Sequence, residues 1–173
     1  MRDRGLMHVY YGTGKGKTTA ALGLAIRALG AGFSVGMVQF MKGYPYSEVA
    51  LLEKLNGLEL VQTGRPDYVY KGKETDEDLR EAARGMEAAR RFVYEEVRDL
   101  VILDEVSVAL DYGILKEGDL LDLIDNRPGS VELVVTGRYP SEAILERGDY
   151  LSEIVSRRHP YDRGVLSRNG IDH

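Results

Sequence analysis

Residues 7–22 read Met7-His8-Val9-Tyr10-Tyr11-Gly12-Thr13-Gly14-Lys15-Gly16-Lys17-Thr18-Thr19-Ala20-Ala21-Leu22, and the fold follows from this stretch. A short apolar run, Met7 to Tyr11, stops at a glycine-rich loop and reads as a buried strand. Lys17 to Leu29 is rich in Ala and Leu, and Gly30 and Gly32 are stop signals, so it reads as a helix. Apolar residues cover most of that helix's circumference, which predicts deep burial. Strand, glycine loop and helix in this order form the setting that a phosphate-binding loop requires. Gly12, Gly14 and Gly16 permit backbone conformations that turn successive N–H groups inward as an anion nest. The helix N-terminus adds partial positive charge and unpaired donors. Lys17 can reach phosphate oxygens and the Thr18 hydroxyl can ligate a divalent cation, with Thr13 and Thr19 on either side. The common spacing G-x-x-x-x-G-K-[ST] would put Gly at position 11. Tyr11 stands there, so the glycine spacing is one residue shorter, and Lys15 adds a cation.

Working outward, strands and helices alternate. Val35 to Phe40 and Leu58 to Gln62 read as strands. Thr75 or Asp76 can cap a long helix, along which Leu79, Ala82, Ala83, Met86, Ala89, Val93 and Val97 recur at spacings of three and four. Leu100 to Leu103 is a fully apolar run and reads as a central strand. Glu117 to Asn126 reads as a helix, Val131 to Val135 as a strand, Ser141 to Glu146 as a short helix, and Tyr150 to Val155 as a strand. The predicted fold is α/β, with a mainly parallel sheet covered by helices on both faces. Prolines 45, 66, 128, 140 and 160 fall between elements. Nothing divides the chain, so residues 1–173 are expected to form a single nucleotide-binding domain.

Ligands on such sheets sit at the carboxyl ends of the strands. Asp104 and Glu105 follow the central apolar run there, and a hard divalent cation beside a polyphosphate needs carboxylate or water ligands. Asp104 is the expected partner of Thr18, directly or through water, and Glu105 is a second ligand or a substrate-positioning group. Thr136-Gly137-Arg138 ends another strand and puts Arg138 at the same rim. Lys42 follows the second strand and can reach phosphate or an acidic ligand group. Arg27, a cation in an apolar stretch, needs either an internal carboxylate or a ligand. His8, His159 and His173 lack the spacing of a metal site and read as structural.

Composition bounds the chemistry. The 173 residues hold 23 Lys+Arg against 28 Asp+Glu, a net charge of −5. That balance argues against general nucleic-acid binding. There is no Cys, hence no thiolate metal site, iron–sulfur cluster or catalytic thiol. There is no Trp, but there are 11 Tyr. The longest strongly apolar stretch, Thr19 to Leu29, is too short to span a bilayer, and the N-terminus lacks a secretory apolar region. A cytoplasmic protein without membrane contact is expected.

Taken together, these motifs resemble a known family. They run Gly12-Thr13-Gly14-Lys15-Gly16-Lys17-Thr18-Thr19, Val38-Gln39-Phe40-Met41-Lys42-Gly43, Leu103-Asp104-Glu105, Asn126-Arg127-Pro128 and Val135-Thr136-Gly137-Arg138. The series closes with His159-Pro160-Tyr161-Asp162-Arg163-Gly164 and Asn169-Gly170-Ile171-Asp172. The pattern looks like that of the P-loop ATP:corrinoid adenosyltransferases, from about His8 to the end. The shortened phosphate loop is itself typical of that family. The resemblance implies a RecA-like P-loop fold, a homodimer, and Mg²⁺ or Mn²⁺ with ATP. It implies attack by Co(I) of a reduced corrinoid on C5′ of ATP, with triphosphate leaving and an outside reductase supplying the electron. It assigns ATP binding to Gly12 through Thr19, Arg27 and Lys42, and metal binding to Thr18, Asp104 and Glu105. Catalytic roles fall to Lys17, Asp104, Glu105 and Arg138.

Two positions depart from the family pattern. Family members commonly carry Gly-Phe-Thr-Trp before the long helix, where aromatics pack under the corrin. Here the stretch is Gly64-Arg65-Pro66-Asp67-Tyr68-Val69-Tyr70, so Tyr68 or Tyr70 is the candidate corrinoid-binding wedge. Ser107-Val108 stands where Asn or Thr followed by Tyr is usual. Some members also have an N-terminal helix over the corrinoid, and this chain has only seven residues before His8. The competing readings are a P-loop kinase or ATPase acting at the γ-phosphate and a nucleotide- or corrinoid-binding protein without turnover.

Overall fold

The computed structural model of the protein describes residues 4–172, and His173 lies outside them. In chain order the elements are β1 (Met7–Tyr11), α1 (Lys17–Gly30), β2 (Val35–Gln39), α2 (Val49–Leu52), β3 (Leu58–Gln62) and α3 (Asp76–Arg90). There follow β4 (Leu100–Asp104), α4 (Val106–Asp111), α5 (Glu117–Asn126), β5 (Glu132–Gly137), α6 (Glu142–Leu145) and β6 (Tyr150–Glu153). The six strands form one all-parallel sheet in the order β3-β2-β4-β5-β1-β6. The α/β parallel sheet expected from the sequence is present, and its strand assignments agree to within two residues.

Helices cover both faces. Val35, Met37, Leu100, Ile102 and Val134 project to one side, against Ala21, Ala25 and Ala28 of α1 and Leu52 of α2. Val38, Phe40, Val101, Leu103 and Val135 project to the other, against α3, α4, α5 and α6. This is the period-two alternation of strands buried on both sides. Every residue of β2 and β4 is buried, which makes them the rigid centre of the sheet.

Two helices differ from expectation. The first helix is not buried all round: Ile26 is half exposed, and Arg27 faces solvent. The sheet offers α1 only one contact face, and the three alanines fill it closely. The long helix keeps its α-helical period only to Arg90 and then widens into a π-helical turn, Arg91–Glu95. The extra residue per turn brings both Phe92 and Val93 into the core. Leu79, Ala83 and Val97, predicted on the buried face, are exposed, and Val97 has left the helix with φ 49°. Gly36 makes room for this packing, because a Cβ there would lie 2.6 Å from the Phe92 ring.

The loop 64–73 is tied to α3 by two carboxylates, Glu81, which accepts the Gly64 N–H at 3.1 Å, and Asp78. Asp78 accepts the Thr75 N–H at 2.8 Å and the Thr75 hydroxyl at 2.9 Å, completing a capping box. It also accepts Arg65 Nε at 2.8 Å. Burial opposes its charge, but the Arg65 and Thr75 hydrogen bonds outweigh it and hold the carboxyl below the ordinary carboxylate range. A depressed folded-state pKa contributes stability above the unfolded value, and that stability is lost as pH falls toward the folded one. Thr75→Ala should cost about 1 kcal/mol in urea unfolding. In wild type, the same measurement should show stability declining below the ordinary Asp pKa; in Asp78→Asn that decline should be shallower.

Candidate active site

Four neighbouring strands, β2, β4, β5 and β1, end at one rim. Their register sets Gln39 beside Asp104 and Tyr11 beside Gly137. The phosphate loop leaves β1 there and enters α1 at Lys17. Gly16 precedes the helix at φ 122°, and no side chain caps it. The first N–H groups of α1 therefore remain available to an anion. Gly12 (φ 105°) and Gly14 are pressed against the end of β6. The Gly14 N–H donates to the Ile154 carbonyl at 2.7 Å, and the Ile154 N–H donates to Tyr11 at 2.7 Å. A Cβ on Gly14 would meet that carbonyl oxygen at 2.7 Å. The missing Cβ atoms let a short loop close directly on the edge strand.

The Lys17 ammonium folds back over the loop and donates to the Gly12 and Gly14 carbonyls, at 2.9 and 2.8 Å. Burial is the main cause that lowers its pKa. Thr18 Oγ1 donates to both Asp104 oxygens, at 3.0 and 3.1 Å. The expected contact of Thr18 with Asp104 is thus direct. Asp104 is fully buried and also accepts Thr136 Oγ1 at 2.7 Å, Gln39 Nε2 at 3.4 Å and Lys42 Nζ at 2.7 Å. Lys42, expected at phosphate or at an acidic group, takes the acidic one. Burial works against its charge, but the Asp104 carboxylate outweighs this and raises its pKa. Glu105 holds a left-handed backbone, φ 61°, and its N–H donates to Thr136 Oγ1 at 2.9 Å. Burial and then the neighbouring Asp104 charge push the Glu105 carboxyl up.

Two clefts open on this rim. The first, about 560 Å³, is walled by the phosphate loop, Thr18, Thr19, Ser47, Glu48, His159 and the tail residues Gly170 to Asp172. The second, about 600 Å³, is lined by Phe40, Tyr44, Tyr68, Val108, Tyr112 and Tyr139 among others. Lys42, Tyr46, Glu105 and Arg138 belong to both. One compartment is therefore cationic and donor-rich, its neighbour is aromatic, and they meet along a charged edge.

Comparison with known proteins identifies the family. A sequence model of the family described as "ATP:corrinoid adenosyltransferase BtuR/CobO/CobP" matches residues 3–173. The chain belongs to this family. It is 35% identical to corrinoid adenosyltransferase CobA of Salmonella typhimurium over 99% of its own length and 87% of that protein's. It is 36% identical to the corrinoid adenosyltransferase of Escherichia coli K12, with the same coverage. Among solved structures, the RadB recombinase matches with a TM-score of 0.53 at 14% identity, covering 91% of this chain and 77% of that one. That likeness concerns the fold and agrees with the expected RecA-like P-loop class.

For an adenosyltransferase, the placement of the remaining residues is informative. Tyr68 lines the aromatic cleft together with Tyr112, whereas Tyr70 packs edge-on against Tyr68 at 4.9 Å and does not line it. Ser107 is buried under Gly137, and Val108 faces the cleft with Tyr112 one helical turn further on. Arg27 does not join either cleft; it lies exposed in the last turn of α1, about ten residues of helix from the loop, where it complements the helix dipole. His159, read from sequence as structural, is in the wall of the phosphate cleft, and its Nδ1 accepts the Tyr161 N–H at 3.2 Å. Lys15 is tied to the tail, donating to the Ile171 carbonyl at 2.6 Å beside Asp172 at 3.3 Å.

Sequence reading missed Thr136, Tyr46, Tyr112 and the tail's position over the cleft. Thr136 carried a signal, a hydroxyl at a strand end just before Gly137-Arg138; the tyrosines gain their place only through folding. Gly14→Ala forces the loop and β6 apart, and overpacking of this kind costs about 1–3 kcal/mol. Chemical denaturation should register that loss, and calorimetry should show weakened binding of inorganic triphosphate. Wild-type stability in the variant would mean the loop does not close on Ile154.

Proposed function

We propose that this enzyme transfers the 5′-deoxyadenosyl group of ATP to Co(I) of a reduced corrinoid and releases inorganic triphosphate, in cobalamin biosynthesis or salvage. The observation that carries the reading is the shared wall: a phosphate cleft and an aromatic cleft meet along Lys42, Tyr46, Glu105 and Arg138. A reaction that joins a planar macrocycle to the sugar end of a nucleotide needs this adjacency. The cobalt of the substrate is the nucleophile. Its electron pair forms the Co–C5′ bond, the C5′–O bond breaks, and the bonding pair leaves on triphosphate. Cobalt rises from Co(I) to formal Co(III), and no proton moves. The protein therefore needs no general base.

Its task is to hold C5′ in line with cobalt and to stabilise charge on the leaving group. Lys15, Lys17, Thr13, Thr19 and the uncapped N–H groups at the start of α1 hold the triphosphate. Arg138, which has no carboxylate within ion-pair distance among the described residues, joins them at the shared edge. Tyr68 is the aromatic wedge under the corrin, beside Tyr112 in the same cleft.

Thr18, Asp104 and Glu105 are the proposed ligands of Mg²⁺ or Mn²⁺. The donor set fits, since it offers hard oxygens, with the Thr18 hydroxyl 3.0 Å from the Asp104 carboxylate. One or two carboxylates with substrate phosphates are what Mg²⁺ sites use. When bound, the ion neutralises charge on the triphosphate. We further assign a homodimer, a separate electron-donating reductase and a cytoplasmic location, as the family implies. No helix among the described residues is long and apolar enough to cross a membrane.

With ATP, Mg²⁺ and chemically reduced corrinoid, the products should be a light-sensitive organocobalt compound and triphosphate. ADP and phosphate formed without corrinoid would instead identify a γ-phosphate enzyme, and binding without any product would identify a carrier. Tyr68→Ala should lower the rate on cobalamin bearing a lower ligand by about tenfold or more, in keeping with the worth of a well-packed aromatic. It should affect a corrinoid lacking that ligand less. Equal losses on both substrates would remove Tyr68 from the wedge role.

A further inference from the structure

The side chain of Lys42 lies where the proposed ligand set would place a cation. Its Nζ is 2.7 Å from Asp104 Oδ2 and 3.0 Å from Thr18 Oγ1. These are two of the oxygens assigned above to the divalent ion. A divalent ion set on these oxygens at about 2.1 Å would lie close to the ammonium, and the two like charges would repel. Asp104 is fully buried and meets no other formal positive charge at ion-pair distance among the described residues. A buried carboxylate without a counter-charge is strongly disfavoured. Lys42 supplies that counter-charge, and a divalent ion competes with it for the same oxygens.

The backbone is built to deliver this ammonium. Met41 holds φ 56°, a left-handed conformation that a long side chain adopts only under constraint. The Lys42 N–H is pinned to the Thr63 carbonyl at 2.7 Å, and a Cβ on Gly43 would overlap Gly64 and Arg65. The turn is fixed, so the side chain alone can move. It has somewhere to go: Lys42 lines both clefts, and its Nζ already lies 5.1 Å from the centre of the Tyr46 ring, which also lines both.

We infer that Lys42 is the resident counter-cation of Asp104 and Thr18, and that it withdraws to the shared edge of the two clefts when a divalent ion binds. This rests on the metal assignment in the proposed function. It makes Lys42 a positioning residue whose charge is released beside the substrates only when the metal is loaded. The swap keeps Asp104 neutralised at every stage and makes metal binding weak until the displaced ammonium finds phosphate.

The test needs no corrinoid and no turnover. Mn²⁺ binding without nucleotide, followed by electron paramagnetic resonance, should be at least tenfold tighter in Lys42→Met than in wild type. In thermal melts Lys42→Met should be destabilised in chelator and should recover with Mg²⁺, while wild type should respond little to Mg²⁺ alone. Equal Mn²⁺ affinity in the two proteins overturns the inference. Should Lys42→Met fail to fold, the ammonium resonance of Lys42 in ¹⁵N-lysine-labelled wild type decides. It should shift on adding Mg²⁺ with inorganic triphosphate, and an unmoved resonance overturns the exchange. Failure here alongside normal organocobalt formation would leave the reaction standing, and success here would hold even if adenosyl transfer were absent.

Discussion

The Asp104 carboxylate is the point on which the rest of the structure depends. It is fully buried at the end of the central strand β4, and it collects donors from three other elements or their ends. Thr18 brings α1 and the phosphate loop, Thr136 brings β5, and Gln39 and Lys42 bring β2 and the turn after it. Removing the cationic partner of such a group typically costs roughly 3–5 kcal/mol, because the remaining charge stays desolvated. The arrangement therefore fixes both the strand ends and the position of the loop relative to them. Structural and chemical requirements coincide, since the oxygens that organise the rim are those suited to hold a cation beside a polyphosphate.

A second constraint is steric. The loop approaches β6 so closely that Gly12 and Gly14 have no room for a Cβ against Ile154. The edge strand β6 is exposed along its whole length, yet its carboxyl end is a wall of the loop. The tail then returns over the phosphate cleft, where Lys15 meets Ile171 and Asp172 and Ser47 meets Asn169 at 2.7 Å. The loop is thus held on one side by the sheet edge and on the other by residues near the chain end. Its Lys17 meanwhile rests on the loop's own carbonyls rather than in open cleft. The lysines are held by internal acceptors that an incoming triphosphate would replace.

The aromatic cleft shows how function can be assembled from residues that carry no motif. Tyr44, Tyr68, Tyr112 and Tyr139 come from four separate segments. Each ring offers a large apolar face with a polar tip, and all four line the same cleft. The absence of tryptophan removes the family's usual residue, not the aromatic surface. The capping of α3 by Asp78, which also grips Arg65, sets where the Tyr68 loop begins and ends.

Some of this was written in the chain order. Alternating apolar runs and glycine punctuation specify the strands, because a buried parallel strand must be apolar throughout. Gly12 to Thr19 and Asp104-Glu105 are legible because their chemistry needs fixed residue types at fixed local spacing. Other features were beyond local pattern. Leu79 and Val97 fit a helical period but are exposed, and Val97 lies beyond the π-turn after Arg90, where the α-helical period no longer holds. Arg27 is ten positions from the loop, and only the direction of α1 carries it away from the clefts. The choice between Tyr68 and Tyr70 depends on which ring the loop turns inward. Lys42 could be placed at the rim from sequence, but not on Asp104, since that pairing spans 62 residues and needs the β2–β4 register and the turn at Met41. Sequence alone determined the strands, the phosphate loop and the acidic strand end. Tertiary structure decided which charges face one another and which rings share a cleft, because those contacts join residues that are distant in the chain.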